Sequence, residues 1–170
     1  MPQFVFCVLH RQALVQICRA DAPRLRAHPG YALATRFVPT KGEFTLDKPV
    51  VVTLEIKNVG NAAVAFRVGG QNRGPRDSQF GFAARGPSGA VPDTGDPINM
   101  GGGSYFQTLH PGETFTKDVD LRKWFSLSQA GSYTITGTYE LPFVESANPD
   151  IPNFSIWQDQ VAATFTVNVR

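Results

Sequence analysis

Carboxylate side chains in two Gly- and Pro-containing segments are the first residues whose types suggest chemistry. Asp93 and Asp96 lie in one segment, and Asp150 lies in the other. Oxygen ligands on irregular loops suit Ca²⁺, which takes roughly six to eight of them in flexible geometry. The spacing lacks the regular pattern of an EF-hand loop. The sequence therefore predicts a candidate calcium site at these three residues, with turn-forming side chains as the plainer interpretation.

Aromatic side chains in or beside the same segments are candidates for ligand contact. These are Tyr105, Phe106 and Trp157. Aromatic faces give large contact area at low cost in conformational entropy, so they suit binding of a glycan or of a protein. The structural alternative is that they pack the loops onto the core. We interpret the three as predicted ligand-binding residues for a protein or glycan partner.

No recognisable catalytic arrangement occurs in the sequence. A Gly-x-Ser-x-Gly nucleophile elbow is absent, and so is a Cys-x-x-Cys motif. Of the histidines, only His110 lies beyond residue 35, so a multi-histidine zinc site is difficult to build. We therefore expect a non-enzymatic binding or accessory module without an obligatory cofactor. The alternative is a small calcium-assisted hydrolase that uses loop carboxylates such as Glu145 and Asp150 as ligands or base.

The charge distribution argues against nucleic acid as a partner. Residues 1–46 hold six basic and two acidic side chains, whereas the rest of the chain holds ten basic and twelve acidic ones. A nucleic-acid-binding domain normally carries a basic stripe on its folded part. No apolar run reaches the roughly 18 residues that a membrane-spanning helix needs. We expect neither nucleic-acid binding nor a membrane span, and the sequence leaves the oligomeric state open.

Residues 1–35 differ in pattern from the rest and are interpreted as an extension and linker. Apolar residues recur at helical spacing over residues 4–19, which is compatible with one short helix. Cys7 and Cys18 either pair or stand as buried thiols. The apolar run at 4–9 is too short, and lacks the charged start, for a convincing signal peptide. The localisation stays open on the residues alone.

Alternating apolar residues appear from residue 42 onward and predict strands. No strand–helix–strand alternation is present, so the sequence predicts an all-β fold for residues 36–170, an antiparallel sandwich of about seven strands. A closed barrel is the main competitor. The predicted strands, labelled A to G, are Glu43–Leu46, Val50–Asn58, Ala63–Val68, Gln79–Arg85, Glu113–Leu121, Ser132–Leu141 and Val161–Val169.

One segment carries a more specific signal. In Leu127–Ile135, Tyr133 precedes the core position Ile135 by two residues, as the corner tyrosine of immunoglobulin-type sandwiches does. The longer pattern from Leu109-x-Pro-Gly-Glu to Gly131-x-Tyr-Thr resembles the immunoglobulin-like accessory domain that precedes some deuterolysin-type metallopeptidases. The resemblance covers about residues 44–141. It implies an immunoglobulin-like fold and an envelope or secreted bacterial or fungal setting, but no activity, because His-Glu-x-x-His is absent.

Two long connections stand out in this scheme. The D–E connection runs over 86–112 and the F–G connection over 142–160. Connections longer than about 12–15 residues are uncommon unless they are functional or disordered. In an immunoglobulin-like sandwich both lie at one end. The sequence therefore predicts that this loop-rich end is the binding surface.

Overall fold

The computed structural model describes residues 30–95, 101–144 and 155–170, and it shows an antiparallel β-sandwich. The predicted fold class is confirmed. No helix in these ranges is long and apolar enough to cross a membrane. The strands in chain order are β1 (Leu33–Pro39), β2 (Val51–Asn58), β3 (Val64–Gly69), β4 (Phe80–Gly86), β5 (Gly89–Val91), β6 (Ser104–Leu109), β7 (Thr114–Asp120), β8 (Gly131–Val144) and β9 (Ser155–Val169).

The smaller sheet has three strands in the order β1-β2-β7. Its inner face is apolar because β2 alternates strictly, with Val52, Leu54 and Ile56 fully buried. A short 3-10 turn, Leu121–Lys123, follows β7, and the Asp120 side chain caps it by accepting from Arg122 N. This turn brings Trp124 and Phe125 back under the sandwich, where both are buried.

In the larger sheet, two strands share one edge of β8. Phe66 of β3 pairs with Phe143, while Phe80–Arg85 of β4 pair with Tyr139–Thr134 further back along β8. Strands β3 and β4 therefore run in the same direction, and the chain leaves the sheet between them over residues 70–79. The other edge of β8 pairs with β9 along its whole length. β5 and β6 extend the sheet beyond β4 and β3.

Aromatic side chains fill the core between the sheets. The Phe37 ring stacks on Phe165 at 5.2 Å and meets Phe82 edge-on at 5.6 Å. Gly137 of β8 makes room for these rings, since a Cβ there would lie 2.6 Å from Phe37. Edge-to-face and offset pairs of this kind are worth about 0.5–1.5 kcal/mol beyond their buried area. The abundant phenylalanines of the sequence thus act mainly as core.

The corner tyrosine forms as predicted. The Tyr133 hydroxyl donates to Gln129 O at 2.7 Å and accepts from Gln129 N at 3.2 Å, and the ring is buried. These two bonds close the turn that leads into β8. The hydrogen-bonded geometry is the one described for immunoglobulin-type sandwiches.

Replacing Tyr133 by phenylalanine should lower the free energy of unfolding by about 1–2 kcal/mol, because two net hydrogen bonds are lost while the ring packing is kept. Urea unfolding of the two proteins measures the difference. Tyr105→Phe is the matched control, since the Tyr105 side chain is exposed. Equal stability of Tyr133→Phe and the parent chain would show that the corner contributes nothing.

Two strand predictions are wrong in detail. The first strand is β1, and Glu43–Leu46 contributes only a parallel bridge between Phe44 and Val169. β1 was missed because its apolar residues fall on both faces and hide the period of two. It begins at Leu33, within the segment interpreted as linker. The predicted helix at 4–19, Cys7 and Cys18 lie outside the described residues.

The predicted D–E loop is also largely structured. It contains β5 and β6, and the segment predicted as strand D is β4, which lies beside β8 rather than beside β7. β6 was missed because Tyr105 and Phe106 are adjacent, so its apolar residues do not alternate. The remaining strands, predicted as B, C, E, F and G, are confirmed within a few residues at most ends.

Candidate functional site

The two long connections do not leave the sandwich at one place. Val144, where β8 ends, follows the Phe66–Phe143 pair near the start of β3. Asp93 instead bridges to Phe125, just beyond β7, and the last residue of β7 pairs with the first residue of β2. The D–E connection therefore leaves at the opposite end from the F–G connection, and its described part returns through β6 to Gly112, which bonds Asn58 O at the end where β8 stops. Residues 96–100 and 145–154 lie outside the described residues.

Residues 70–79 leave the sheet between β3 and β4 and form the lateral loop. The segments that precede and follow residues 96–100 both contact this loop. Gly70 N donates to Gly103 O at 2.9 Å, and Asn72 N donates to Gly101 O at 3.2 Å. Gly69 has a φ of +85°, and a Cβ there would lie 2.3 Å from Gly103 O. Only glycine permits this close backbone approach. The glycine-rich segments at 69–70 and 101–103 thus form a tight backbone contact.

Arg76 is the anchor of the lateral loop. Its side chain is 7% exposed and donates to Lys123 O at 2.7 Å and to Asp93 Oδ1 at 2.8 Å. The same guanidinium donates to Thr94 Oγ1 and to Gly95 O, and it lies 5.3 Å from the centre of the Trp124 ring. No local pattern in the sequence indicates this burial, because Asp93 and Lys123 lie far from Arg76 along the chain.

Asp93, one of the three predicted metal ligands, is held by this arginine. Burial alone raises the pKa of Asp93, but hydrogen bonds from Arg76 and Gly95 and the arginine charge outweigh it, so the pKa lies below its ordinary value. Asp96 and Asp150 lie outside the described residues. Within the described ranges no three His, Cys, Asp or Glu side chains come together as a metal site. The calcium site stays a prediction.

Acid should release this ion pair. Because the folded pKa of Asp93 is below the unfolded value of about 3.9, the carboxylate contributes stability above that pH. The contribution is lost as the pH falls through the folded pKa. Replacing Asp93 by asparagine should therefore reduce the difference in melting temperature between pH 6 and pH 3. An unchanged pH profile in Asp93→Asn would contradict this assignment.

A second ion pair joins the lateral loop to β7. Lys117 Nζ bonds Asp77 Oδ2 and lies 5.7 Å and 5.6 Å from the ring centres of Phe80 and Tyr139. Lys117 occupies an inward position of β7, between the buried Phe115 and Val119. An inward charge on an edge strand opposes pairing with another chain. The pair thus places an inward charge on the edge strand β7.

Gln79 closes the gap where β3 separates from β8. Its side chain is 2% exposed. Nε2 donates to Arg67 O at 3.2 Å and to Glu140 O at 3.4 Å, while Oε1 accepts from Gly69 N and from the Tyr139 hydroxyl. Burial raises the pKa of Tyr139, with Asp77 and Tyr105 adding to the shift, so this hydroxyl stays protonated and donates. One amide thus replaces the missing ladder bonds.

The three predicted ligand-binding aromatics do not form one platform. Tyr105 and Phe106 are neighbours on β6, so their side chains point to opposite faces of the sheet. Trp157 pairs with Phe143 on the far side of β8 and packs against the core. Only Tyr105 is strongly exposed, at 56%. Of the three predicted contact residues, Tyr105 on β6 is therefore the one most exposed to solvent.

The edge of β6 differs from the other edges among the described residues. β7 carries Lys117, β5 has only three residues, and the C-terminal part of β9 is covered by the bridge to Phe44. β6 has six residues, Ser-Tyr-Phe-Gln-Thr-Leu, with neither a charge nor a proline. Proteins usually protect such edges. We identify the β6 edge as the candidate functional site.

No family model and no curated protein matches the chain. Among solved structures, a β-glucosidase from Erythrobacter marinus is 13% identical, with 82% of this chain and 16% of that chain covered and a TM-score of 0.38. A β-glucosidase from Listeria innocua is 13% identical, with 90% and 19% covered and a TM-score of 0.38. AvmM, which catalyses macrocyclization in alchivemycin A biosynthesis, is 13% identical, with 86% and 96% covered and a TM-score of 0.33.

The chain spans about a fifth of the length of the two β-glucosidases. At these TM-scores the likenesses carry no argument about what this chain does.

Proposed function

We propose that the chain is a non-enzymatic binding or accessory module that contacts a protein partner at the β6 edge. The observation that supports it is the exposed Tyr105 on an uncharged strand whose outer edge pairs with none of the described strands. Exposed tyrosine is a frequent contact residue, because it offers rigid apolar area and a polar tip. An immunoglobulin-like accessory domain, as the sequence resemblance implies, fits this role.

The nearby charged groups favour binding over hydrolysis. Asp93 is engaged by Arg76, and Asp77 is engaged by Lys117. Carboxylates in such pairs are poorly placed to act as a base or to bind calcium, since they would first have to leave their partners. The ion pairs of the lateral loop thus hold the loop that contacts the chain just before β6.

Paired surface variants test the proposal. Tyr105→Ser and Val59→Ser each remove an apolar side chain that is 56% exposed, but Val59 lies in the turn after β2. Immobilised full-length chain should retain a partner from an extract of its native source, and Tyr105→Ser should lose most of it while Val59→Ser should not. Equal retention by both variants, or no retained protein, would contradict the proposal.

Melting in CaCl₂ and in EDTA addresses the calcium-assisted alternative. A specific ligand raises the stability of the folded state as its concentration increases. We expect the same melting temperature in both solutions. A calcium-dependent rise together with hydrolytic activity would favour the hydrolase.

A further inference from the structure

The hydrogen-bond pattern of β6 shows which backbone groups face outward. Gly70 N bonds Gly103 O, so this pair is a hydrogen-bonded one, and bonded pairs alternate along an antiparallel ladder. Tyr105 and Gln107 then bond to β3, whereas the N–H and C=O groups of Ser104, Phe106 and Thr108 point to the open edge. Consistently, Thr108 O accepts from the Gln107 side chain at 2.7 Å rather than from β3.

The side chains beside this edge are apolar and cationic. Phe106 lies on the outer face directly opposite Arg67 of β3. The Arg67 side chain is exposed and forms no ion pair with any residue in the described ranges. On the inner face, Tyr105 projects beyond the core. A strand added next to β6 would contact Phe106 on one face and Tyr105 on the other, and it would lie about 10 Å from β3, within reach of the long Arg67 side chain.

We propose that the β6 edge is a strand-addition site for an extended segment of a partner protein with a carboxylate on its outer face. This inference rests on the proposed function and specifies how the partner binds. Main-chain hydrogen bonds supply the affinity in this mode, and side chains at alternate positions supply the specificity. The acidic residue pairs with Arg67 on the face of Phe106, and apolar residues on the opposite face cover Tyr105.

A second copy of this chain fits the edge less well. Antiparallel pairing of two β6 strands would place two Arg67 side chains on one face, and β6 has no carboxylate to balance them. Charge complementarity therefore favours an acidic segment over self-association.

The test uses full-length chain and labelled synthetic peptides. The probe has eight residues of alternating threonine and valine with one central threonine replaced by aspartate, and its control carries lysine at that position. We expect the aspartate peptide to bind at least tenfold more tightly, and the ratio to fall toward one in Arg67→Ala or at high salt. Failure of the aspartate peptide to bind, or equal binding of both peptides, overturns the proposal.

Proline separates backbone pairing from side-chain contact. Phe106→Pro removes an outward N–H without removing a bond to β3, a position where edge strands tolerate proline. It should lose at least tenfold more affinity than Phe106→Ala. Hydrogen exchange of the parent chain gives an answer even if the proline variant does not fold. The amides of Ser104, Phe106 and Thr108 should gain protection on peptide binding, and those of Tyr105 and Gln107 should change little.

The outcomes separate the two proposals. Protection elsewhere than β6 overturns strand addition. Self-association of the parent chain that is lost in Phe106→Pro assigns the edge to a second copy instead. If the chain retains a partner through Tyr105 but does not bind the peptide, strand addition is contradicted. The proposal of a binding module then still holds.

Discussion

Replacing Gln79 by alanine is expected to lower the free energy of unfolding by about 3–5 kcal/mol. The variant leaves Gly69 N, Arg67 O and the Tyr139 hydroxyl without their buried partner. Each buried polar group left unpaired costs about 1–3 kcal/mol, and the carbonyls lose least because they have a second lone pair. For a chain of this size the melting temperature should fall on the order of 10 °C. Urea and thermal unfolding measure both quantities.

Gln158→Ala is the matched control for this prediction. Gln158 lies on β9 with an exposed side chain, so its removal should change stability by less than about 0.5 kcal/mol. A double-mutant cycle with Tyr139→Phe then isolates the bond between the two side chains, and the losses should not add. Similar, small effects at Gln79 and Gln158 would show that water replaces the amide and that the gap between β3 and β8 is not sealed by it.

Replacing Arg76 by methionine should destabilise the protein by about 2–4 kcal/mol. Methionine keeps apolar contact with Trp124, but the bonds to Lys123 O, Thr94 and Gly95 O are lost. Removing one partner of a buried ion pair costs about 3–5 kcal/mol when the other charge stays buried. Here Asp93 is 46% exposed and regains water, which lowers the expected loss. The Thr94 amide, which bonds Trp124 O, should exchange faster with solvent.

Replacing Asp93, the ion-pair partner of Arg76, should cost less stability than replacing Arg76. Asp93→Asn should cost less than about 1 kcal/mol, because its side chain is half exposed and Arg76 keeps its other acceptors. A loss in Asp93→Asn as large as in Arg76→Met would mean that the charge pair itself, rather than the set of bonds from one buried arginine, holds the segment. Unfolding should be measured in urea, because guanidinium chloride is a salt and would screen the charges.

Pattern in the sequence was informative for strands that bury one face evenly along their length. β2, β7, β8 and β9 have one face toward the core, so their apolar residues alternate, and the sequence predicts them within a few residues at most ends. Tyr133 could also be assigned, because its role depends on a local distance along the chain to Gln129. β1 and β6 have weaker alternation, since each is covered unevenly. The sequence missed both for that reason.

The candidate site was predicted only in part. Tyr105 was named from its residue type, but its exposure depends on β6 being an edge strand. Phe106 and Trp157 were grouped with it by closeness to the same loops, although strand register sends them to other faces. Asp93 looked like a metal ligand because its partner Arg76 lies in a different loop. Local sequence carries no information about such pairs.

Alternation, turn residues and the absence of helical segments after residue 42 by themselves determine that residues 36–170 are all-β and favour an antiparallel sandwich over a closed barrel. These features act through burial of one face of each strand, which is a property of neighbouring residues. Only the tertiary structure decides that β3 and β4 share one edge of β8, that Gln79 seals the gap, and that no described strand pairs with the outer edge of β6 beside Arg67. Those outcomes depend on which strands become neighbours, and hydrogen bonds between residues far apart in the chain settle that choice.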